Sequence, residues 1–354
     1  MRKSILRWAR GLVAVGIFYL LFAPVSIDPV AWTPTKAPAM AGPYAPNQRL
    51  KGVARIGEGF GIGPEDVALD AQGRIYAGYV DGRIVRFDKD GKNPKVFSTT
   101  GGRPLGLAFD GRGSLYVADA VRGLVVIAPN GKFGVLVTQA EGVKFRFTND
   151  VVVAKDGMVY FTDSSARFGI EEPIADIFEH RGTGRLMAYN PADRSLKVLL
   201  RGLQYANGIA ISPDQSFVLV VETASYRVRR FWLKGPKAGR DEIFIDNLPG
   251  FADNISSNGR GTFWLAMFTV RNPVADRLAG YPFVRRMIWR LPQALQPGPK
   301  RYSFVLGLDA AGKVTHNLQD PQGRFWPITS VEEAGGHLYL GSLTEPAIGR
   351  IKVR

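Results

Sequence analysis

Glu65, Asn149, Asn207 and Asp253 each open a segment of the same design. In every copy a short, mostly apolar stretch runs through a polar turn into alternating β-formers. The copies are residues 65–70 leading to 73–76, 105–110 to 113–116, 149–154 to 157–160, 207–212 to 216–219, 253–258 to 261–264, and 328–333 to 336–339. Eleven positions separate the opening residue from an aromatic in five copies; twelve separate Asn207 from Leu219. If the copies are equivalent in space, their opening residues Glu65, Leu105, Asn149, Asn207, Asp253 and Ile328 share one height. The next residues, Asp66, Gly106, Asp150, Gly208, Asn254 and Thr329, share another.

Four of the six opening residues carry side-chain oxygen inside otherwise apolar hairpins. Carboxylates and amides brought together in a protein interior need a partner, because unpaired burial costs several kcal/mol. A hard cation supplies one. Ca²⁺ takes six to eight oxygens, whereas Mg²⁺ keeps several waters. Glu65 and Asp253 would balance the charge, and Asn149, Asn207 and Asn254 would add neutral oxygens. The alternative is local: Asn and Asp also serve as turn and cap residues at strand starts.

Each copy reads as strand, Gly/Asp turn, strand, often with a third strand after it, as at 82–87, 123–127 and 184–189. Repeats of this length with about four strands are propeller blades. The fold expected is therefore all-β, a six-bladed β-propeller over 51–354. Residues 49–56 and 348–353 are the candidates for closing the ring, which removes two sheet edges. Longer spacings include 168–181 and 272–300, expected as loops over one face.

Cysteine is absent, which excludes disulfides, thiolate nucleophiles and zinc–sulfur or iron–sulfur sites. The three histidines, His180, His316 and His337, do not have the spacing of a zinc site. Lys and Arg number 46 against 31 Asp and Glu, giving +15. No zinc-finger spacing or RNP-like strand accompanies that charge, so a nucleic-acid partner is not expected. Anionic lipid is the partner it favours, beside a small-molecule substrate.

Arg2, Lys3, Arg7 and Arg10 precede an uncharged run of 17 residues, 11–27, with Trp8 and Trp32 at its flanks. The run lies at the lower edge of what spans a bilayer. It predicts one N-terminal transmembrane helix or signal-anchor over 1–27. The N-terminus would be cytoplasmic and the propeller periplasmic or otherwise extracytoplasmic. A cleaved signal peptide is the alternative: Ala39-Met40-Ala41 has the composition of a cleavage site but lies more than ten residues past the run. Residues 28–50 hold Pro29, Pro34, Pro38, Pro43 and Pro46 and are expected as an extended tether.

The stretches 160–165, 184–191, 206–213, 221–223, 229–233 and 248–255 together resemble the strictosidine synthase-like family, in its membrane-anchored branch. The resemblance covers nearly all of 50–354. It places the chain in the wider superfamily of six-bladed calcium-dependent phosphotriesterases, with paraoxonases and gluconolactonases. It implies Ca²⁺ ligands at Glu65, Asn149, Asn207 and Asp253, with Asn254 beside them, and a catalytic role for Asp253 as base or nucleophile. Two departures matter. Leu105 stands where paraoxonases carry a histidine. Thr329 stands where strictosidine synthase uses a glutamate, and a threonine does not titrate near neutrality. The resemblance thus implies a hydrolase of a small ester, lactone or phosphoester, of arylesterase or lactonase type. An amine–aldehyde condensing enzyme (a carbon–nitrogen lyase) and a non-catalytic Ca²⁺-stabilised scaffold are the alternatives.

Overall fold

The computed structural model describes residues 2–353. Six four-stranded antiparallel sheets surround one axis. Blades 1 to 5 span 67–99, 104–137, 148–203, 206–245 and 250–320. Blade 6 combines 331–352 with Ala54–Ile56 as its outermost strand. That strand pairs antiparallel with Ile348–Lys352, Ala54 opposite Arg350 and Ile56 opposite Ile348. The ring is closed where the sequence expected.

Strand alternation explains the packing. In blade 1, Ile75 and Ala77 join a cluster with Tyr339 and Ile348 of blade 6. Tyr76, between them, packs with Leu107, Leu115 and Val117 of blade 2. Successive side chains point to opposite faces of a strand, and here both faces meet a neighbouring blade. That is why the middle strands read as nearly unbroken apolar runs.

The innermost strands share an irregularity. Register shifts fall between Pro104 and Leu107, Thr148 and Val151, Ala206 and Ile209, and Ala252 and Ile255. Each is a β-bulge, with two residues facing one on the next strand; such bulges bend a strand and re-aim its side chains. The bulged pairs are Leu105-Gly106, Asn149-Asp150, Asn207-Gly208 and Asp253-Asn254. Two of the glycines let neighbouring blades touch. A Cβ on Gly106 would lie 2.5 Å from the Asp150 Cα, and one on Gly208 would lie 2.4 Å from the Asn254 Cα.

The expected loops at 168–181 and 272–300 carry short helices: α2 (Pro173–Glu179), α3 (Pro273–Leu278) and α4 (Pro282–Trp289). All three begin with proline, whose fixed φ and missing N–H suit a first helical position.

The N-terminal helix α1 is Arg2–Phe22. It corrects the sequence expectation in one respect: among the described residues, no helix is long and apolar enough to cross a membrane. The helix stops at Phe22, just before Pro24. Its uncharged part, from Gly11 on, is about 18 Å long at 1.5 Å per residue, against about 30 Å of hydrocarbon. The rest of the apolar run leaves the helix, and Val25 and Ile27 pack with Phe168, Ala175, Phe178 and Trp289. Leu12, Val13, Val15, Ile17, Phe18 and Phe22 remain exposed.

The tether has no strand or long helix, only a 3₁₀ turn at Gly42–Tyr44, but it does not hang free. Met40 and Tyr44 pack on the core of blades 4 and 5, and the Leu50 N–H donates to the Gln319 carbonyl.

A Gly208→Ala substitution should destabilise the chain by roughly 1–3 kcal/mol, since overpacking here pushes backbone against backbone. Gly134→Ala, which points into open space, is the control. Equal unfolding midpoints for the two would contradict the close approach.

Candidate functional site

A cavity of about 290 Å³ opens on the axis at the face bearing α2, α3 and α4. Glu65, Asn149, Asn207 and Asp253 all line it, together with Leu105. Asn254 joins them through its side-chain amide, which donates to the Glu65 Oε1 at 3.0 Å. All five polar residues are buried. Ile328 behaves differently. It is fully buried in the apolar core with Leu50 and Phe325, and Leu343 takes blade 6's place in the cavity wall. The reason is that the blade 6 inner strand starts only at Val331, so Ile328 precedes it and turns into the core.

The amide nitrogens are tied down by hydroxyls. Asn149 Nδ2 donates to Ser164 Oγ (2.9 Å), and that hydroxyl donates to the carbonyl of Ala206 in the next blade (2.8 Å). Asn207 Nδ2 donates to Thr223 Oγ1 (3.1 Å), and that hydroxyl donates to the Ala252 carbonyl (2.7 Å). Thr329 Oγ1 donates to the Glu65 carbonyl at 2.6 Å. These links pass from one blade to another. With each amide nitrogen fixed, its oxygen is aimed elsewhere.

Those oxygens have no protein partner. Glu65 Oε2, Asn149 Oδ1, Asn207 Oδ1 and Asn254 Oδ1 are buried and accept no hydrogen bond. Four stranded acceptors in one interior run against the rule that buried polar atoms are paired. Burial pushes the Glu65 carboxyl well above its usual range, and the neighbouring Asp253 and Asp66 add to it. Burial likewise pushes Asp253 up to about 7, with the Asn207 amide pulling the other way. One carboxyl and three amide oxygens without partners, with the Asp253 carboxyl lining the same cavity, suit a hard divalent cation of Ca²⁺ type. Three of the five residues are amides. Among the described residues, accordingly, no group of three or more His, Cys, Asp or Glu clusters as a metal site.

The second tier of the repeat faces away from this cavity; Asn254 belongs to it and reaches the first tier through its bond to Glu65. Asp66 and Asp150 line a separate polar hollow with Ser256 and Glu332. Asp66 Oδ2 accepts from the Leu107 N–H (2.9 Å) and Asp150 Oδ2 from the Ile209 N–H (2.8 Å). Each carboxylate thereby holds the next inner strand. Glu332 lies in that hollow, its carboxyl pushed up to about 8 by burial and then by Asp66. Glu333 is held by Asn258 and Trp264. Neither reaches the cavity.

Above the polar floor the walls are apolar: Phe147, Ile177, Phe178, Tyr205, Tyr226 and Phe251 are among them. Sequence spacing did not single out Ser164, Thr223 or Tyr205. For the hydroxyls a signal existed, since each lies 15 or 16 residues after the asparagine it holds. Tyr205, with φ of +60°, precedes a bulge that periodicity does not reveal.

Residues 149–236 match the model of the strictosidine synthase family, and 42–87 match that of the strictosidine synthase-like N-terminal region. The adipocyte plasma membrane-associated protein of Rattus norvegicus is 35% identical over 96% of this chain and 96% of its own length. This chain belongs to the strictosidine synthase-like family. A plant member of the family, strictosidine synthase-like 10 of Arabidopsis thaliana, is 39% identical over 81% of this chain and 84% of its own. Among solved structures, a gluconolactonase of Xanthomonas campestris aligns with a TM-score of 0.62 at 19% identity, covering 82% of this chain and 86% of that one. A calcium-binding regucalcin of Agrobacterium tumefaciens aligns at 0.57 and 14% identity, covering 84% and 90%. These two show the shared propeller fold.

Thr329 is engaged as a strut and not as a reactive group. Thr329→Val keeps its shape but strands the Glu65 carbonyl, and should cost about 1–3 kcal/mol. Thr344→Val, at an exposed position, should cost little. Urea unfolding of both variants checks this, and an unchanged Thr329→Val would remove the strut.

Proposed function

We propose that this chain is a Ca²⁺-dependent hydrolase of a small, partly apolar ester or lactone, with Asp253 as its catalytic carboxylate. One observation carries the reading: three residues with buried, unpartnered acceptor oxygens, Glu65, Asn149 and Asn207, line an apolar cavity, and a fourth such oxygen, on Asn254, lies behind Glu65. Glu65, Asn149, Asn207, Asp253 and Asn254 would hold the ion. Bound there, Ca²⁺ supplies Lewis-acid polarisation of a carbonyl or phosphoryl oxygen. The propeller neighbours, one named a gluconolactonase and one a calcium-binding regucalcin, support the same chemistry.

The chain's own residues do the rest. The apolar walls take up the substrate's hydrocarbon part and exclude bulk water. Asp253 lines the cavity at the polar floor, where an ester carbon would lie. As base, its carboxylate accepts a proton while a water oxygen bonds to the acyl carbon. The bond to the leaving oxygen then breaks, and the proton passes to that oxygen, consuming one water overall. Ser164 and Thr223 keep the amide oxygens aimed at the floor throughout. Condensation of an amine with an aldehyde lacks support, because Thr329 offers no titrating group and its hydroxyl is already committed to Glu65.

Membrane attachment belongs to the same proposal. It rests on the exposed apolar side chains of α1, on the basic residues before them, and on relatives named plasma membrane-associated. In this reading α1 inserts into the bilayer and the propeller lies on the extracytoplasmic side. Protease protection of the propeller in intact cells reads that directly, and digestion by a cytoplasmic protease would contradict it.

Two measurements test the site. Ca²⁺ at a hundred times its Kd should stabilise the parent by about 2.7 kcal/mol, and Asp253→Ala should lose that gain. An unchanged melting temperature in excess chelator would count against the ion. In parallel, the parent should hydrolyse members of an aryl ester and lactone panel in a chelator-sensitive way. Asp253→Asn should lower turnover on the order of 10²–10⁴-fold, the usual worth of a general base. No turnover with Ca²⁺ present would favour a binding scaffold, and condensation of tryptamine with secologanin would overturn the ranking.

A further inference from the structure

Residues 23–36 lie across the mouth of the cavity and tie its lid helices together. Ile27 is buried against Phe168 and Ala175. The Asp28 N–H donates to the Glu179 Oε1 at 2.6 Å, and the Asp28 carboxylate pairs with Arg181 and Arg286. The Val30 N–H donates to the carbonyl of Glu179, the last residue of α2 (2.9 Å). Two residues on, the Trp32 N–H donates to the Ala279 carbonyl just after α3 (3.2 Å). Arg271 fixes the far side, donating to the Thr35 carbonyl at 2.7 Å. The segment therefore bonds to both halves of the lid, which lie about a hundred residues apart in sequence.

Trp32 sits where the two halves meet. Its ring stacks on His180, with centroids 3.9 Å apart and planes 9° from parallel, and lies 5.9 Å from the Tyr226 ring. It lines the cavity. His180 is neutral, its pKa pushed down to about 3 by burial and then by Arg285 and Arg227. The stack is thus aromatic on aromatic, a contact that stabilises beyond the area it buries. None of this is part of the propeller repeat.

We infer that the N-terminal strap is a wall of the binding cavity, and that Trp32 shapes an apolar arm for the aryl or alkyl part of a neutral ester or lactone. The polar end of that ligand rests on the hydrolase reading; the apolar arm does not. A cavity of this kind orients a ligand by its few polar groups and gains affinity from its apolar walls.

The test uses the full chain in detergent micelles with N-phenyl-1-naphthylamine, a neutral apolar fluorophore, against a micelle-only blank. Saturable binding above the blank is expected. Trp32→Ala should weaken it at least tenfold and Trp32→Phe by less. Asp28→Ala, outside the cavity, should weaken it by loosening the strap. Ca²⁺-dependent melting shifts, read beside it, should stay near parental in all three. Loss of probe binding with parental shifts supports the strap as a wall. Unchanged binding in Trp32→Ala and Asp28→Ala, or no saturable binding to the parent, would overturn it. If either alanine variant fails to fold, Trp32→Phe decides: a changed ratio of KM values between short- and long-chain esters, or a changed probe Kd, supports the inference, and neither overturns it. Strap-dependent probe binding with no ester turnover would leave this inference standing and remove the hydrolase reading.

Discussion

Everything at the site depends on how closely the inner strands approach one another around the axis. Two residues of a bulge must face one partner residue in four of the blades. That geometry turns Asn149, Asn207 and Asp253 towards the cavity and their successors towards the next blade. Glycine at 106 and 208 lets backbones touch where any side chain would collide. The hydroxyls of Ser164, Thr223 and Thr329 then convert the contact into directed hydrogen bonds from blade to blade. The acceptor oxygens are therefore held by the same links that hold the blades, and the site is as rigid as the ring. A site built this way is pre-organised, because its donors are spent on the scaffold while its acceptors are left without protein partners.

Much of this was legible before the fold was known. The hairpin repeat carries blade number, because aromatic and β-branched residues recur at a nearly fixed distance from the strand start. Glu65, Asn149, Asn207 and Asp253 stand out as polar openings in apolar segments, and the structure brings them to one cavity. The closing strand was readable from β-formers at both ends of the repeat array. What spacing did not carry was the bulge, a backbone event with no residue signature beyond a glycine in two of four cases. Ile328 shows the consequence: equal sequence spacing put it at the ring height, but without a strand around it the residue turned into the core. Strap docking was also invisible. Proline content reports extended backbone and says nothing of what that backbone lies against.

The N-terminal helix illustrates the limits of composition in another way. Hydropathy counts residues 11–27 as one run. Backbone chemistry divides it, since the helix ends at Phe22 and the remainder is recruited by Phe168 and Trp289. Arg290 marks the division, donating from its guanidinium to the Leu20 and Ala23 carbonyls at the helix end (2.8 and 2.6 Å). A cation on the last carbonyls of a helix satisfies groups that otherwise lack partners. The same arginine joins α1 to the lid.

The seating of the strap also bears on protein maturation. A peptidase cutting after Ala41 would release Ile27, Asp28, Trp32 and Thr35 together. The two lid halves would lose their tie, and the cavity one of its walls. Met40, beside that bond, is packed on the core of blades 4 and 5, whereas Ala41 and Gly42 are exposed. A cut at this point would leave the polar floor of the cavity in place and take Trp32 out of its wall.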